Sequence, residues 1–348
     1  MNPCIRGVGL AHPPHKVGQP EVRDLVRTLF DGLQGLDRLI TVFENTGITS
    51  RHLSAPLEWF SRPHGFAEKN RRWFETALEL CEKASLEALA QAGLRPEQVG
   101  AIVLVTTTGI ATPSLEAHLV ERLGLPLSAV RLPIWGLGCA GGAAGLARAA
   151  ELARLHEHVL LVAVELCSLT FVRGDLSKSN LVATSLFADG AAAAVLGTPQ
   201  ASEGPAVLGS FSRLLPNSYE VMGWDVVDEG LQVRFAQSIP ALVEGRLGHL
   251  IQDGLASFGL TAQDLHTWTL HPGGAKVLAA YQHGLGVDEG SLEAARCVLK
   301  NFGNMSSPTV LFVLARQMYQ LERPPSGSLG LLLALGPGFA AEGVVLRW

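Results

Sequence analysis

The residue of this 348-residue chain best placed for nucleophilic chemistry is Cys139, a cysteine between glycine-rich flanks. A short strand is predicted to end at Trp135, and helix formers continue from Gly145 to Leu155. A thiol at the start of a helix lies near unpaired N–H groups and the positive end of the helix dipole, which favours a thiolate. The alternative is a small buried cysteine beside a tight turn, the commoner kind of free cysteine.

Two polar residues in the second half of the chain could assist such a nucleophile. His271 follows a predicted buried strand at 267–270 and precedes Pro-Gly-Gly. Ligand sites of α/β folds gather at the carboxyl ends of strands, where an imidazole can take a proton from a thiol. The amide of Asn304, within Gly-Asn-Met-Ser-Ser, can stabilise an oxyanion or an enolate but cannot act as a base. Each motif alone is also typical of an ordinary loop histidine or turn asparagine.

Continuous apolar runs alternate with amphipathic segments along the whole chain. The runs predict strands buried on both faces, and the segments predict helices between them. The block 180–196 predicts a turn followed by a strand of small residues. Because both halves alternate in this way, we expect a layered α/β architecture with one domain over 1–200 and a second over 201–348. The crossing between them is predicted at 197–209, which gathers Gly, Pro, Ser and Gln.

Composition excludes several classes of function. The net charge of -5 argues against nucleic acid as a partner. The five cysteines are scattered and form no CxxC pair, which predicts reduced thiols and neither a disulfide framework nor a metal site. The first residues lack the apolar core of a signal peptide, and no apolar run reaches membrane-spanning length. We therefore expect a cytoplasmic protein without a transmembrane segment.

Several motifs occur together in one order: Cys139, His271-Pro-Gly-Gly, Gly303-Asn304-Met-Ser-Ser and Gly336-Pro337-Gly338. With Thr107-Thr-Gly and Phe187-Ala-Asp-Gly, this order resembles the type III polyketide synthases, the chalcone-synthase-like branch of the thiolase superfamily. The resemblance covers nearly the whole chain. It implies a homodimer with a thiolase-like αβαβα five-layer fold built from two duplicated halves. It also implies acyl-CoA and malonyl-CoA as substrates and no resident cofactor.

The same resemblance assigns roles to the three polar residues. Cys139 is expected to hold the starter and the growing chain as a thioester, and its backbone N–H is expected to donate to an oxyanion. His271 helps to generate the thiolate. His271 and Asn304 together bind the malonyl thioester and stabilise the enolate that decarboxylation forms. This division suits the chemistry, because a carbanion equivalent needs hydrogen-bond donors.

The resemblance also carries over a binding site. Phe187 matches a gate between the coenzyme A tunnel and the cavity, and Val233 stands where plant enzymes have a second gatekeeping phenylalanine. The expected cavity and terminal-loop residues are Thr107, Cys167, Thr170, Trp224, Ser306, Gly336, Pro337 and Gly338. Arg38 and Lys276 are candidates for binding coenzyme A, and an exposed solvated charge is the alternative for both.

Trp224 and Val233 favour one product class. They resemble the bacterial alkylpyrone and alkylresorcinol synthases, which implies a medium- or long-chain fatty acyl starter. A malonyl-primed tetrahydroxynaphthalene-type synthase is the first alternative. A β-ketoacyl-ACP synthase III-like enzyme, which performs one condensation on a carrier protein, is the second. A catalytically silent subunit of the same fold is the third, although such subunits usually lack the nucleophile retained here.

Overall fold

The computed structural model describes residues 2–198 and 204–348, and its strands fall into two groups along the chain. The first-half strands are β1 (Cys4–Ala11), β2 (His15–Gly18), β3 (Ser50–Leu53), β4 (Ala101–Thr106), β5 (Val130–Trp135), β6 (His158–Leu166) and β7 (Asp189–Gly197). The helices are α1 (Gln19–Leu29), α2 (Leu36–Leu39), α3 (Leu57–Phe60), α4 (Phe66–Gln91), α5 (Leu115–Leu123), α6 (Gly141–Leu152) and α7 (Lys178–Leu186).

The second half contributes a similar set of elements. Its strands are β8 (Ala206–Leu214), β9 (Met222–Val227), β10 (Gly230–Phe235), β11 (Leu265–Leu270), β12 (Leu329–Gly336) and β13 (Ala340–Arg347). Its helices are α8 (Ile239–Ala256), α9 (Ala275–Leu285), α10 (Glu293–Phe302) and α11 (Thr309–Tyr319).

Nine of these strands pair in the order β11-β12-β13-β8-β1-β7-β6-β4-β5. The series β1-β7-β6-β4 is antiparallel, antiparallel and then parallel. The series β8-β13-β12-β11 repeats that pattern. The two series meet through a single residue pair, Cys4 with Ala206. The halves are therefore topological duplicates, as the sequence predicts.

Helices lie between the two half-sheets as well as outside them. β4, β6 and β7 are buried at every residue, which explains why their sequences are mostly apolar. On one face of the first half-sheet, Ile102 and Leu104 pack with α4 in one core. On the other face, Val103 and Val105 share a core with α6. Because α6 and α11 contact strands of both halves while α4 and α8 cover one half each, the layers follow the expected αβαβα order.

Two expectations about local structure are corrected. Residues 178–186 form the helix α7 instead of the predicted turn, with Ser177 capping it by accepting a hydrogen bond from the Asn180 N–H. The strand β8 begins at Ala206, inside the segment predicted as a crossing. The predicted domain boundary at 200/201 lies outside the described residues and stays a prediction. Among the helices that the structure describes, none is both long and apolar enough to cross a bilayer.

Candidate active site

Cys139 lies in a tight turn, residues Gly138–Ala140, that leads directly into α6. Gly138 has a φ of +48°, and a Cβ atom there would lie 2.7 Å from the Cδ atom of Pro337. A Cβ atom at Gly336 would clash with the backbone of the cysteine turn. The loop of Gly336, Pro337 and Gly338 therefore closes against the turn that carries Cys139, and only glycine permits that approach.

The side-chain amide of Asn304 connects the cysteine to the histidine motif. Its Oδ1 atom lies 4.0 Å from the sulfur of Cys139 and accepts a 2.8 Å hydrogen bond from the Ser306 N–H. Its Nδ2 atom donates a 3.1 Å bond to the carbonyl of Gly273, two residues after His271. The Ser306 N–H needs an acceptor, which is the amide oxygen, and the Gly273 carbonyl needs a donor, which is the amide nitrogen. The two contacts therefore fix the orientation of the Asn304 amide. Ser306 adopts a φ of +58°, a strained conformation for a residue with a side chain.

The backbone of Asn304 is held against the segment that follows α7. Its N–H donates to the Leu186 carbonyl, and its own carbonyl accepts from the Ala188 N–H, both at 2.9 Å. Phe187 and Asn304 thus form a parallel bridge between the two halves of the chain. The candidate gate and the candidate catalytic amide are placed by one pair of hydrogen bonds.

His271 stands immediately after β11 and is buried. Its backbone N–H donates to the carbonyl of Leu333 on β12 at 2.9 Å, and its backbone carbonyl accepts from the Tyr281 hydroxyl at 3.3 Å. Neither ring nitrogen has a hydrogen-bond partner among the described residues. Burial lowers the pKa of the imidazole to about 3. The backbone is therefore fixed, while burial keeps the ring neutral and weakens it as a base.

Burial also dominates the ionisation of Cys139. It raises the pKa of the thiol to about 11, and the charge of Glu165 acts in the same direction. Side-chain hydrogen bonds with Ser306 and Asn304 lower the pKa but do not outweigh burial. Burial therefore opposes the thiolate that is expected at a helix N-terminus. A thiolate forms there when a group inside the site accepts the thiol proton and its resulting positive charge stabilises the sulfur.

Glu165 is a functional candidate that the sequence analysis missed. The carboxylate is fully buried and accepts hydrogen bonds from the Thr107 N–H at 2.9 Å, the Thr108 hydroxyl at 2.8 Å and the Ser307 hydroxyl at 2.8 Å. The Thr107 hydroxyl in turn accepts the Gly138 N–H at 3.0 Å. The Glu165 carboxylate therefore links the segment that follows β4 to Ser307, near Asn304. Through Thr107 the same segment also contacts the turn that carries Cys139. Its signal was a single acid within an otherwise apolar strand, because such a charge needs buried donors.

Arg51 is a second residue that the sequence analysis missed. Its guanidinium is fully buried and donates to the carbonyls of Thr184 and Ser185 at 2.8 Å each and of Phe187 at 2.7 Å. It also donates to the side chain of Gln19. These carbonyls end α7 and have no helical partner, so Arg51 caps the helix that positions the gate. Burial lowers the pKa of Arg51 to about 9.

A narrow apolar cavity, called here the acyl cavity, begins at the gate. Four predicted residues line it: Cys167, Thr170, Phe187 and Val233. About 60 Å³ of it is open to the centre of a water molecule. Trp224 lies opposite Val233 across the β9-β10 hairpin, and its ring meets that of Phe187 edge-on at 6.1 Å. The structure therefore brings five of the predicted residues together at or beside this cavity, while Thr107, Ser306, Gly336, Pro337 and Gly338 do not line it. The roles of all ten residues stay predictions.

The two candidates for coenzyme A binding lie apart from these contacts. Arg38 is exposed on the short helix α2, and Lys276 is exposed in the first turn of α9. Neither residue lines the acyl cavity. Their roles stay predictions.

Comparison with known families matches both halves of the chain. Residues 67–200 match the N-terminal domain of chalcone and stilbene synthases, and residues 207–348 match the C-terminal domain. The chain is a type III polyketide synthase. Enzymes of this family are acyltransferases that use acyl-CoA and malonyl-CoA, so the predicted family, enzyme class and thiolase-like fold are confirmed.

Individual relatives make different products. The type III polyketide synthase is 39% identical to a 1,3,6,8-tetrahydroxynaphthalene synthase of Streptomyces peucetius subsp. caesius, over 99% of this chain and 93% of that protein. It is 31% identical to the α-pyrone-synthesis polyketide synthase-like protein Pks18 of Mycobacterium tuberculosis, over 98% and 90%. The crystal structure of the tetrahydroxynaphthalene synthase of Streptomyces coelicolor A3(2) superposes with a TM-score of 0.94, at 29% identity and 99% coverage of both chains.

Proposed function

We propose that this type III polyketide synthase loads a medium- or long-chain fatty acyl group on Cys139 and extends it with malonyl-CoA. Two or three condensations would be followed by release of an alkylpyrone through lactonisation or an alkylresorcinol through aldol closure. The observation that carries the proposal is the apolar lining of the acyl cavity.

The cavity continues away from the gate between hydrocarbon side chains. They come from α1, β3 and α3 and are Val22, Leu25, Val26, Leu29, Leu53, Leu57 and Phe60. A malonyl starter would place a carboxylate among these side chains without a solvent shell, at a considerable free-energy cost. An alkyl chain gains about 0.8 kcal/mol for each buried methylene group. The narrow cross-section also suits an unbranched chain better than a ring.

The proposed chemistry divides among the three triad residues. His271 takes the thiol proton, the sulfur of Cys139 attacks the acyl-CoA carbonyl, and the carbon–sulfur bond to coenzyme A breaks. Coenzyme A leaves as a thiol after it receives that proton. Malonyl-CoA then loses carbon dioxide, and the electron pair stays on an enolate that His271 and Asn304 stabilise. The enolate carbon attacks the thioester carbonyl on Cys139, the bond from that carbon to the sulfur breaks, and Cys139 leaves as a thiolate. The product is a β-ketoacyl-CoA, which reloads Cys139 with release of coenzyme A before the next condensation. Decarboxylation supplies the carbanion, so the proposed reaction uses no resident cofactor.

Further expectations complete the proposal. Ser306, Thr107, Gly336, Pro337 and Gly338 shape the reaction chamber around the sulfur, and Arg38 and Lys276 bind the phosphates of coenzyme A. The solved structure of CsyB complexed with CoA-SH, with a TM-score of 0.90 at 26% identity over 99% of both chains, supports coenzyme A binding by this fold. Supply of acyl-CoA thioesters favours a cytoplasmic location.

A homodimer is also proposed, through the strand β5. This strand ends the sheet, and its Val130 and Trp135 side chains are exposed. Ile110, on the loop bonded to the Trp135 indole through the Gly109 carbonyl, is exposed as well. An apolar, unpaired edge strand is suited to pairing with a second copy. Light scattering after gel filtration would give a dimer for the wild type and a monomer for Trp135→Glu.

The decisive experiment is product mass from a starter panel. The purified enzyme is incubated with labelled malonyl-CoA and with acetyl-, octanoyl-, dodecanoyl- or hexadecanoyl-CoA, with Cys139→Ala as the control. We expect alkylpyrone or alkylresorcinol masses from the longer starters. Product from malonyl-CoA alone, with none from any fatty acyl-CoA, would contradict the proposal. It would favour the tetrahydroxynaphthalene-type alternative, which the 39% identity to the Streptomyces peucetius enzyme supports. A requirement for carrier protein would favour the single-condensation alternative.

A further inference from the structure

A surface cavity with a basic lining lies beside the acyl cavity. About 410 Å³ of it is open to the centre of a water molecule. Three cationic side chains line it, Arg62, Lys69 and Arg173, against one carboxylate, that of Glu229. The whole chain has a net charge of -5, so this local excess of positive charge does not reflect its composition. We call this cavity the basic pocket.

The cations of the basic pocket are incompletely neutralised. Arg62 and Arg173 are exposed, and neither forms an ion pair within the described part of the chain. Lys69 is only 6% exposed, and its Nζ atom donates a 2.8 Å hydrogen bond to the Phe171 carbonyl. Burial lowers the pKa of Lys69 to about 8, and Glu229 opposes that shift. An ammonium group with two remaining donors beside two guanidinium groups is a setting for an anion.

The basic pocket and the acyl cavity share two walls. Phe60 and Phe171 line both cavities, so the hydrocarbon lining and the basic lining adjoin each other at these two residues. The Phe171 backbone also accepts the Lys69 hydrogen bond, which places the ammonium group next to this wall. The two cavities together are apolar inside and cationic at the surface. That sequence of environments matches a molecule with an alkyl chain and an anionic end.

We propose that the basic pocket binds the carboxylate of an alkyl carboxylate whose chain occupies the acyl cavity. The inference rests on the proposed function, because it takes the acyl cavity as the place where the starter chain binds. Two sources supply this chemistry. A free fatty acid would enter from the surface and compete with the starter. An ω-carboxyacyl starter on Cys139 would instead direct its far carboxylate to the arginines.

The first arm of the test measures binding without turnover. Calorimetric titration compares decanoate with decan-1-ol, which has the same chain without the charge. We expect decanoate to bind the wild type about tenfold more tightly than the variant Arg62→Met/Arg173→Met, because two charge-assisted contacts are lost. Decan-1-ol should bind both equally. Arg95→Met/Arg154→Met removes two exposed arginines elsewhere and should behave as the wild type. Both arginines of the pocket are exposed, so the variant is expected to fold, and thermal unfolding verifies this.

The second arm measures turnover of two CoA thioesters that differ in one carboxylate. The ratio of kcat/KM for 11-carboxyundecanoyl-CoA to that for dodecanoyl-CoA is compared between the wild type and the same two double variants. A fall of this ratio only in Arg62→Met/Arg173→Met supports the starter as the source. Head-group-dependent binding with an unchanged ratio supports the free fatty acid.

The failure of this inference is distinguishable from that of the proposed function. If neither arm depends on Arg62 and Arg173, the inference is overturned, even where dodecanoyl-CoA gives product. If decanoate binding depends on the two arginines but no fatty acyl-CoA is extended, the proposed starter is wrong and the carboxylate site stands.

Discussion

The guanidinium of Arg51 donates a 2.7 Å hydrogen bond to the backbone carbonyl of Phe187, the residue at the gate of the acyl cavity. A side chain from β3 therefore fixes the end of α7, and the bridge from Phe187 to Asn304 extends that control to the candidate catalytic amide. The candidate gate and one member of the predicted triad share one support.

The first prediction concerns that support. Arg51→Lys keeps a charge but cannot reach three carbonyls with a planar fork, and it leaves buried acceptors unpaired. We expect a loss of about 3 kcal/mol in the free energy of unfolding, measured by urea denaturation. The control Arg95→Lys, on an exposed arginine, should change the free energy of unfolding by less than about 0.5 kcal/mol. An unchanged denaturation midpoint in Arg51→Lys would show that the capping contacts contribute little.

The second prediction separates decarboxylation from loading. Asn304→Asp retains an acceptor for Ser306 but faces the Gly273 carbonyl with an oxygen and offers no donor to an enolate. We expect release of carbon dioxide from malonyl-CoA to fall about 100-fold or more. Mass spectrometry of the intact protein should still show an acyl group on Cys139. Cys139→Ala should show the reverse, with decarboxylation and no acyl-enzyme. Equal loss of both steps in Asn304→Asp would assign the amide a structural role only.

The third prediction follows from the buried carboxylate of Glu165. Burial raises its pKa from 4.5 to about 7, so between these values the folded protein holds a proton that the unfolded chain has lost. Stability from this group is fully present below pH 4.5 and is lost as the pH rises through 7, by up to ~3 kcal/mol. We expect Glu165→Gln to remove this part of the decline in unfolding temperature between pH 5 and 8. The part due to Asp189, whose pKa burial also raises, should remain.

The control for that experiment is Glu97→Gln, a substitution at an exposed surface position whose pH profile should match the wild type. A Glu165→Gln profile parallel to that of the wild type would mean that Glu165 stays ionised throughout this range. The Gln side chain can still accept from Thr107 and Thr108, while the Ser307 hydroxyl can rotate to accept from its amide.

The fourth prediction tests the width of the gate. Val233 lines the acyl cavity between Phe187 and the opposing Trp224. Val233→Phe adds a ring at this point, so we expect the preferred starter to become shorter, from dodecanoyl-CoA toward acetyl-CoA. Product masses from competing starters provide the measurement. Val226→Phe places the same ring on an exposed position of the same hairpin and should leave starter preference unchanged. An unchanged starter preference in Val233→Phe would show that the acyl chain of the starter does not pass Val233.

The fifth prediction tests coenzyme A binding by Arg38. Arg38→Gln should raise the KM for malonyl-CoA about 5- to 10-fold, because one phosphate contact is lost, with little change in kcat. The N-acetylcysteamine thioester of malonate lacks the phosphates, so its KM should not change. Arg95→Gln is the matched control. If both thioesters respond equally, Arg38 acts on the fold and not on the phosphates.

Local sequence predicted the elements that are buried on both faces. The strand β4 follows from an uninterrupted apolar run, and β6 follows from an apolar run that is broken only by Glu165 near its end. The long helix α4 follows from its periodicity. Helix α7 was missed because Lys178–Leu186 includes Ser, Asn, Val and Thr, which are weak helix formers. That helix depends on contacts from outside its own sequence, above all the Arg51 cap.

The sequence by itself predicted the family and the duplicated α/β architecture, which are confirmed, and it nominated Cys139, His271 and Asn304 as a triad, whose roles stay a prediction. Residue chemistry and motif order are properties of the chain. Only the tertiary structure showed that Cys139 is buried, and burial by distant segments raises the pKa of its thiol against the effect of the local helix terminus. It alone also revealed Glu165 and Arg51 as supports of the site. Their partners lie up to about 140 residues away along the chain. Hydrogen bonds over such separations exist only after segments that are distant in the chain have packed together.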